Sequence, residues 1–140
     1  MIIYPTELDI KIFGKDAHNK FKAVVDNTLP GVIELNSNDI YNTEEYAIFS
    51  GYGNCSIENT FFDKDLPFSE VAMKLESDII ALGFREVDDI YCLYKFSKDG
   101  EVTKLVSKSI TEEIDKNYSQ MEDAIVALED DVFIDLLLAP

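Results

Sequence analysis

At 140 residues and 46% hydrophobic side chains, the chain is long enough for one globular domain, residues 1–140, whose core needs no disulfide staples. Its 28 acidic and 12 basic residues give a net charge of −16 and a sequence pI near 4.2. This balance disfavours direct nucleic-acid binding, which needs clustered Lys and Arg, and the apolar and aromatic content excludes an acidic disordered chain.

The opening "MIIYPTELDIK" lacks a basic segment followed by a sustained apolar run, so no signal peptide is expected. No stretch approaches the ~18 uninterrupted apolar residues of a membrane span. A soluble, cytoplasmic protein is the expectation. In "ELDIKIFG", Leu8, Ile10 and Ile12 alternate with polar residues, which predicts a half-buried strand ending at Gly14. Asp16 is placed to cap the helix "DAHNKFKAVVDNTL", in which Ala17, Phe21, Val24 and Val25 recur at helical spacing. "LPG" (Leu29–Gly31) stops that helix, "GVIELN" reads as a second strand and "NSNDIYNTEE" as a polar loop. "YAIFSGYG" and "CSIENTFF" read as two strands meeting in a hairpin near "GYGN".

The next helix is expected over "DLPFSEVAMKLESDIIALGF", with Phe68, Val71, Ala72, Leu75, Ile79 and Leu82 on one stripe and Gly83 as its left-handed terminator. "YCLYKFSKDGEVTKLVS" is a hairpin signal around Lys98-Asp99-Gly100. The tail is expected to be helical from about Thr111, with a break near Glu129–Asp131 as the alternative. The order β-α-β-β-β-α-β-β-α predicts an α+β fold, a largely antiparallel sheet packed by two or three helices.

The segment "YPTELDIKIFGKDAHNKFKAVVDNTLPG" (Tyr4–Gly31) resembles the opening of the small YbeD-like family: an aromatic-Pro-Thr start, a strand containing Ile-Lys and Gly-Lys, then a helix. That family resembles ACT-type regulatory modules. The resemblance implies a ferredoxin-like sheet, here with an added acidic C-terminal helix, and an ACT-like regulatory or ligand-binding module as one alternative function. It covers about a fifth of the chain and transfers no site residue.

Two segments hold the negative charge. Residues 36–91 carry 12 acids and 3 bases, and residues 111–140 carry 9 and 1. On a continuous helix at about 100° per residue, Met121, Ala124, Ile125, Leu128, Val132 and Leu136 share an apolar face suited to the core. Glu122, Asp123, Glu129 and Asp130 fall opposite, interleaved with Val126, Phe133 and Leu137. Apolar anchors among carboxylates are the anatomy of a surface for a basic partner, with anchors supplying affinity and charge supplying steering. A helix buried on two sides, or a separate short helix capped by Asp130 or Asp131, is the competing structural explanation.

Motifs for chemistry are sparse. His18 is the only histidine and is expected to be exposed and inert. Cys55 and Cys92 have no ligand-spaced neighbour and read as free thiols or a single disulfide. Gly51-x-Gly53 lacks the third glycine and following helix of a dinucleotide fingerprint. Carboxylate groups such as Asp63/Asp65 and Glu86/Asp88/Asp89 have no EF-hand spacing and fall where turn residues are expected. The tyrosines, Tyr41, Tyr46, Tyr52, Tyr91 and Tyr94, are either interface residues or ordinary strand residues. No metal or cofactor is expected, and no enzymatic activity. The expected function is a small acidic inhibitor that occludes a basic protein, in its most concrete form an immunity protein or antitoxin for a nuclease toxin. A phage-type DNA mimic acting on restriction or CRISPR machinery is a second alternative. Nothing in the residues decides the oligomeric state.

Overall fold

The computed structural model describes residues 4–28, 33–35, 41–55, 68–85 and 89–128. In chain order the elements are β1 (Tyr4–Phe13), α1 (Ala17–Thr28), β2 (Ile33–Leu35), β3 (Tyr41–Asn42), β4 (Tyr46–Cys55), α2 (Phe68–Leu75), β5 (Ile79–Arg85), β6 (Ile90–Phe96), β7 (Val102–Val106), α3 (Lys108–Asn117) and α4 (Met121–Ala127). The strands form one antiparallel sheet in the order β2-β4-β1-β5-β6-β7, with β3 also on β4. The chain is thus α+β, as its pattern of elements predicts, with four helices among the described residues where two or three are expected. Strand β4 lies between β1 and β2, and β1 lies between β4 and β5, so the crossovers through α1 and α2 interleave. A ferredoxin-like assignment is not confirmed: β6, β7, α3 and α4 lie beyond such a plan.

The sheet is buried on both faces. On one, α1 and α2 place Ala17, Phe21, Val71, Ala72 and Leu75 over Ile10, Ile12, Phe49, Ile79, Tyr94 and Phe96. Phe21 meets Phe49 at 4.9 Å between ring centroids, and burying each such ring contributes about 1.5–3 kcal/mol. On the other face, α3 and α4 place Ile110, Ile114, Ala124, Ile125 and Leu128 over Ile48, Ile80, Leu82 and Leu93. Strand β1 occupies the middle of this sandwich.

Three expectations are corrected. The helix read through "DIIALGF" ends at Leu75. Glu76 takes the left-handed conformation at φ 55°, and Ile79–Arg85 is strand β5 with Gly83 paired in mid-strand. Ile79, Ile80, Ala81 and Leu82 are all fully buried because β5 faces a helical layer on each side. Such an unbroken apolar run has no periodicity to separate strand from helix. Secondly, "YAIFSGYGNC" is one strand, β4, paired with β1 along its length and with β2 through Gly51–Gly53, so no hairpin turns at the glycines. The remainder of "CSIENTFF" lies outside the described residues. Thirdly, Asn42 and Tyr41 of the expected loop pair with β4.

Of the other local readings, the two glycine turns hold and the one for His18 does not. Gly14 follows β1 at φ 116°, and Gly100 turns the β6–β7 hairpin at φ 94°. Asp16 precedes α1, its carbonyl accepting from Lys20 N at 3.2 Å and its carboxylate from the Asn19 side-chain amide at 2.9 Å. His18 is not exposed: it is half-buried, its ring stacked on Phe49 at 5.4 Å. Cys92 is buried and forms no disulfide among the described residues. Leu29–Gly31, Cys55's side chain and the Asp63/Asp65 pair lie outside the described residues.

Candidate functional site

The tail does not form one long helix. Ser107 caps α3 by accepting from Ile110 N at 3.1 Å, the chain turns extended at Tyr118, and α4 runs only from Met121 to Ala127. Leu128 is extended, at φ −69° and ψ 112°. A helical wheel carried from Glu122 to Leu137 therefore breaks at this point, and Glu122 and Asp123 cannot be assigned to a face shared with Glu129 and Asp130 on helical spacing. The expected core face holds where it is described: Ala124, Ile125 and Leu128 are fully buried and Met121 packs against them. Glu122 and Asp123 are exposed, and Val126 is half-buried against the same cluster. Glu129, Asp130, Phe133 and Leu137 lie outside the described residues.

The position of α4 is set by residues of β1 that alternation alone assigns to solvent. Asp9 is 4% exposed and Lys11 is fully buried. Lys11 Nζ donates to the carbonyls of Val126 at 2.8 Å and Leu128 at 2.9 Å. These carbonyls lie at the C-terminal end of α4, and the ammonium complements the negative end of the helix. The same ammonium sits 4.5 Å from the Tyr46 ring centroid and 5.1 Å from that of Phe13. Asp9 lies one strand repeat away on the same face, beside Ser50 of β4 and Leu82 of β5. Its carboxyl is pushed up to about 7, first by burial, then by the charges of Glu122 and Glu7. The start of α4 thus lies toward Asp9 and its end over Lys11, so α4 runs in the same sense as β1.

A second row of the sheet extends this acidic corner. Glu7 of β1 pairs with Phe84 of β5, which pairs with Tyr91 of β6. The Phe84 and Tyr91 rings are 5.1 Å apart. Burial raises the Tyr91 phenol, with further contributions from Asp115 of α3 and Glu7. Tyr91 N is held by Thr111 Oγ1 at 2.9 Å, and that hydroxyl donates to Ser107 O at 3.0 Å, which ties α3 to β6. Asp115 of α3 and Glu122 of α4 thus act electrostatically on Tyr91 and Asp9, and Glu7 acts on both.

This corner combines four carboxyls with aromatic rings. A carboxyl near neutrality suits proton transfer, yet among the described residues no group of three or more His, Cys, Asp or Glu is arranged to hold a metal ion. Of the expected site residues, the structure brings Glu122 to this corner and sets Asp123 beside it on α4, hydrogen-bonded from Ser119 at 3.1 Å. Glu7, Asp9 and Asp115 belong to the same corner and were not anticipated. Tyr91 and Tyr94 are core residues, at 9% and 1% exposure. Among the described residues no helix is long and apolar enough to cross a membrane. Comparison with protein-family models, curated proteins and solved structures finds no match.

Proposed function

We propose that this chain is a small, non-enzymatic inhibitor that binds and occludes a basic protein, most concretely the immunity protein of a nuclease toxin. The observation supporting it is the set of carboxylates around the α3–α4 corner: among the described residues Asp9 and Tyr91 are raised first by burial and then by negative neighbours, Glu122 and Glu7 for Asp9, Asp115 and Glu7 for Tyr91. Like charges held together destabilise the free protein. A basic surface docking against them relieves that repulsion and gains charge-assisted contacts. The mechanism requires no bond-making: carboxylates take the place of substrate phosphates, and apolar side chains beside them slow dissociation.

The test is capture from a source-organism lysate by the tagged chain, beside a variant carrying Glu122→Gln, Asp123→Asn, Glu129→Gln and Asp130→Asn. The expected result is one basic nuclease retained by the wild type, inhibited at equimolar ratio, and lost or weakened with the variant. Recovery of no basic protein, or of one whose activity the chain leaves untouched, overturns the proposal.

A further inference from the structure

We infer that α4 is a strap whose closure over the sheet is controlled by the proton on Asp9: it lies down while Asp9 is neutral and lifts, as a unit, far more readily once Asp9 is ionised. The device needs no partner and stands apart from the proposed function. Along β1, alternation puts Asp9 and Lys11 on the face that α3 and α4 cover, with Ile10 and Ile12 on the other. Leu82, beside Asp9 on β5, packs in one cluster with Ala124, Ile125 and Leu128. Asp9 is 4% exposed within that layer. A neutral carboxyl tolerates such a site, whereas a carboxylate is driven toward water. The hold on α4 is slight. It is a seven-residue helix whose N-cap residue, Gln120, makes no side-chain capping bond, and a helix of that length does not persist without packing. Its far end is tied to the sheet through Lys11, at 2.8 and 2.9 Å. Lifting α4 hydrates the face that carries Asp9 and leaves the strand pairing of β1 intact. It also moves Glu122 and Asp123, which are exposed on α4.

The groups around Asp9 set the sign of the response. Glu7 and Lys11 flank it on β1, Glu122 comes from α4, and the adjoining ladder residues, Ser50 of β4 and Leu82 of β5, carry no charge. Burial first, then Glu122 and Glu7, raise the closed-state carboxyl from 3.8 to about 7. Once α4 lifts, the carboxyl returns toward its ordinary range. The closed state therefore holds the proton more tightly than the open one. Closure is strongest near pH 4, weakens as pH rises, and levels above about pH 7 where both states are ionised.

The test is amide exchange of the full chain from about pH 5 to 8, each rate corrected for its intrinsic rise with pH, with Ala81 of β5 as the reference for whole-domain unfolding. Ala124 and Leu128, whose amides bond within α4 and at its end, should be less protected than Ala81 at every pH. Their protection should fall by up to about tenfold per unit and level near pH 7. Asp9→Asn mimics the protonated form, should fold normally, and should give a flat α4 profile. Glu122→Gln, an exposed change, is an independent variant that should move the levelling point to lower pH. Three results would overturn the strap. In the first, α4 amides exchange more readily than Ala81 but with no pH dependence, so that α4 opens without relieving Asp9. In the second, their protection equals that of Ala81, so that α4 opens only with the whole domain. In the third, Asp9→Asn keeps the wild-type slope or Glu122→Gln leaves the levelling point in place.

Discussion

Replacing Lys11 with Met removes an ammonium and keeps an unbranched side chain of similar length, so the space beneath α4 stays filled. Two effects oppose each other. The variant no longer desolvates a buried cation, which favours it by several kcal/mol in effective terms. Against this, the Val126 and Leu128 carbonyls lose donors at 2.8 and 2.9 Å, each bond to a charged group contributing about 1.5–3 kcal/mol. The Tyr46 ring at 4.5 Å adds about 1–2 kcal/mol in a dry site. Apolar replacements of buried charges succeed when both partners are exchanged. Here the partners are main-chain carbonyls, which cannot be exchanged and lose this charged donor. The balance leaves Lys11→Met less stable by roughly 2–4 kcal/mol. The loss should be local first: amides of Ala124 and Leu128, bonded at the end of α4, should exchange faster by a larger factor than those of β5. Urea denaturation gives the global value and amide exchange the local one. A variant with an unchanged or higher midpoint and full α4 protection would refute the role assigned to Lys11.

Other outcomes follow from single contacts. Asp9 has a folded pKa raised from 3.8 to about 7, so the native state holds its proton longer than the unfolded chain. Its contribution is complete below pH 4 and is lost as pH rises toward 7, by at most about 4 kcal/mol. Asp9→Asn should therefore match the wild type near pH 4 and exceed it at pH 8 in denaturant melts; parallel stability curves would refute the assignment. Thr111→Val keeps the shape but leaves Tyr91 N without its 2.9 Å acceptor, and should cost about 1–3 kcal/mol in urea unfolding. Gly14→Ala meets φ 116° and a Cβ contact of 3.0 Å with Ser77 Oγ. It should lower stability by about 1–2 kcal/mol, and adding Ser77→Ala should recover little of that if the backbone angle dominates.

The fold was legible where periodicity was clean. The alternation of β1, the spacing of α1 and the turn chemistry of Lys98-Asp99-Gly100 each led to the observed element. It was illegible where layers meet. Ile79–Leu82 is buried on both sides, which removes the polar face that marks a strand. The same burial hid Asp9 and Lys11: their alternation with Ile10 and Ile12 describes a strand with one wet face, and only the helices packed from residues 108–128 make that face dry. One signal was present, since "IIAL" has no polar face and so implies cover on both sides of its sheet. The tail read correctly as acidic and helical. Its wheel failed because a buried lysine more than a hundred residues away caps α4 two turns after it starts. No local pattern encodes that partner.

The Lys11 contact also orders the way the chain must fold. Its acceptors lie 115 and 117 residues downstream, and closing a loop of that size costs about 4 kcal/mol of chain entropy beyond a constant. Strand β1 precedes every other element yet pairs with β4 and β5, so the sheet's centre cannot assemble until residue 85 has left the ribosome. High contact order of this kind favours slow folding. Until α4 docks, β1 presents Asp9 and Lys11 on an uncovered face. In a nascent chain those two charges keep the central strand hydrated and discourage pairing with neighbouring chains. Lys11, which holds α4 in place, thus also helps protect β1 while it waits.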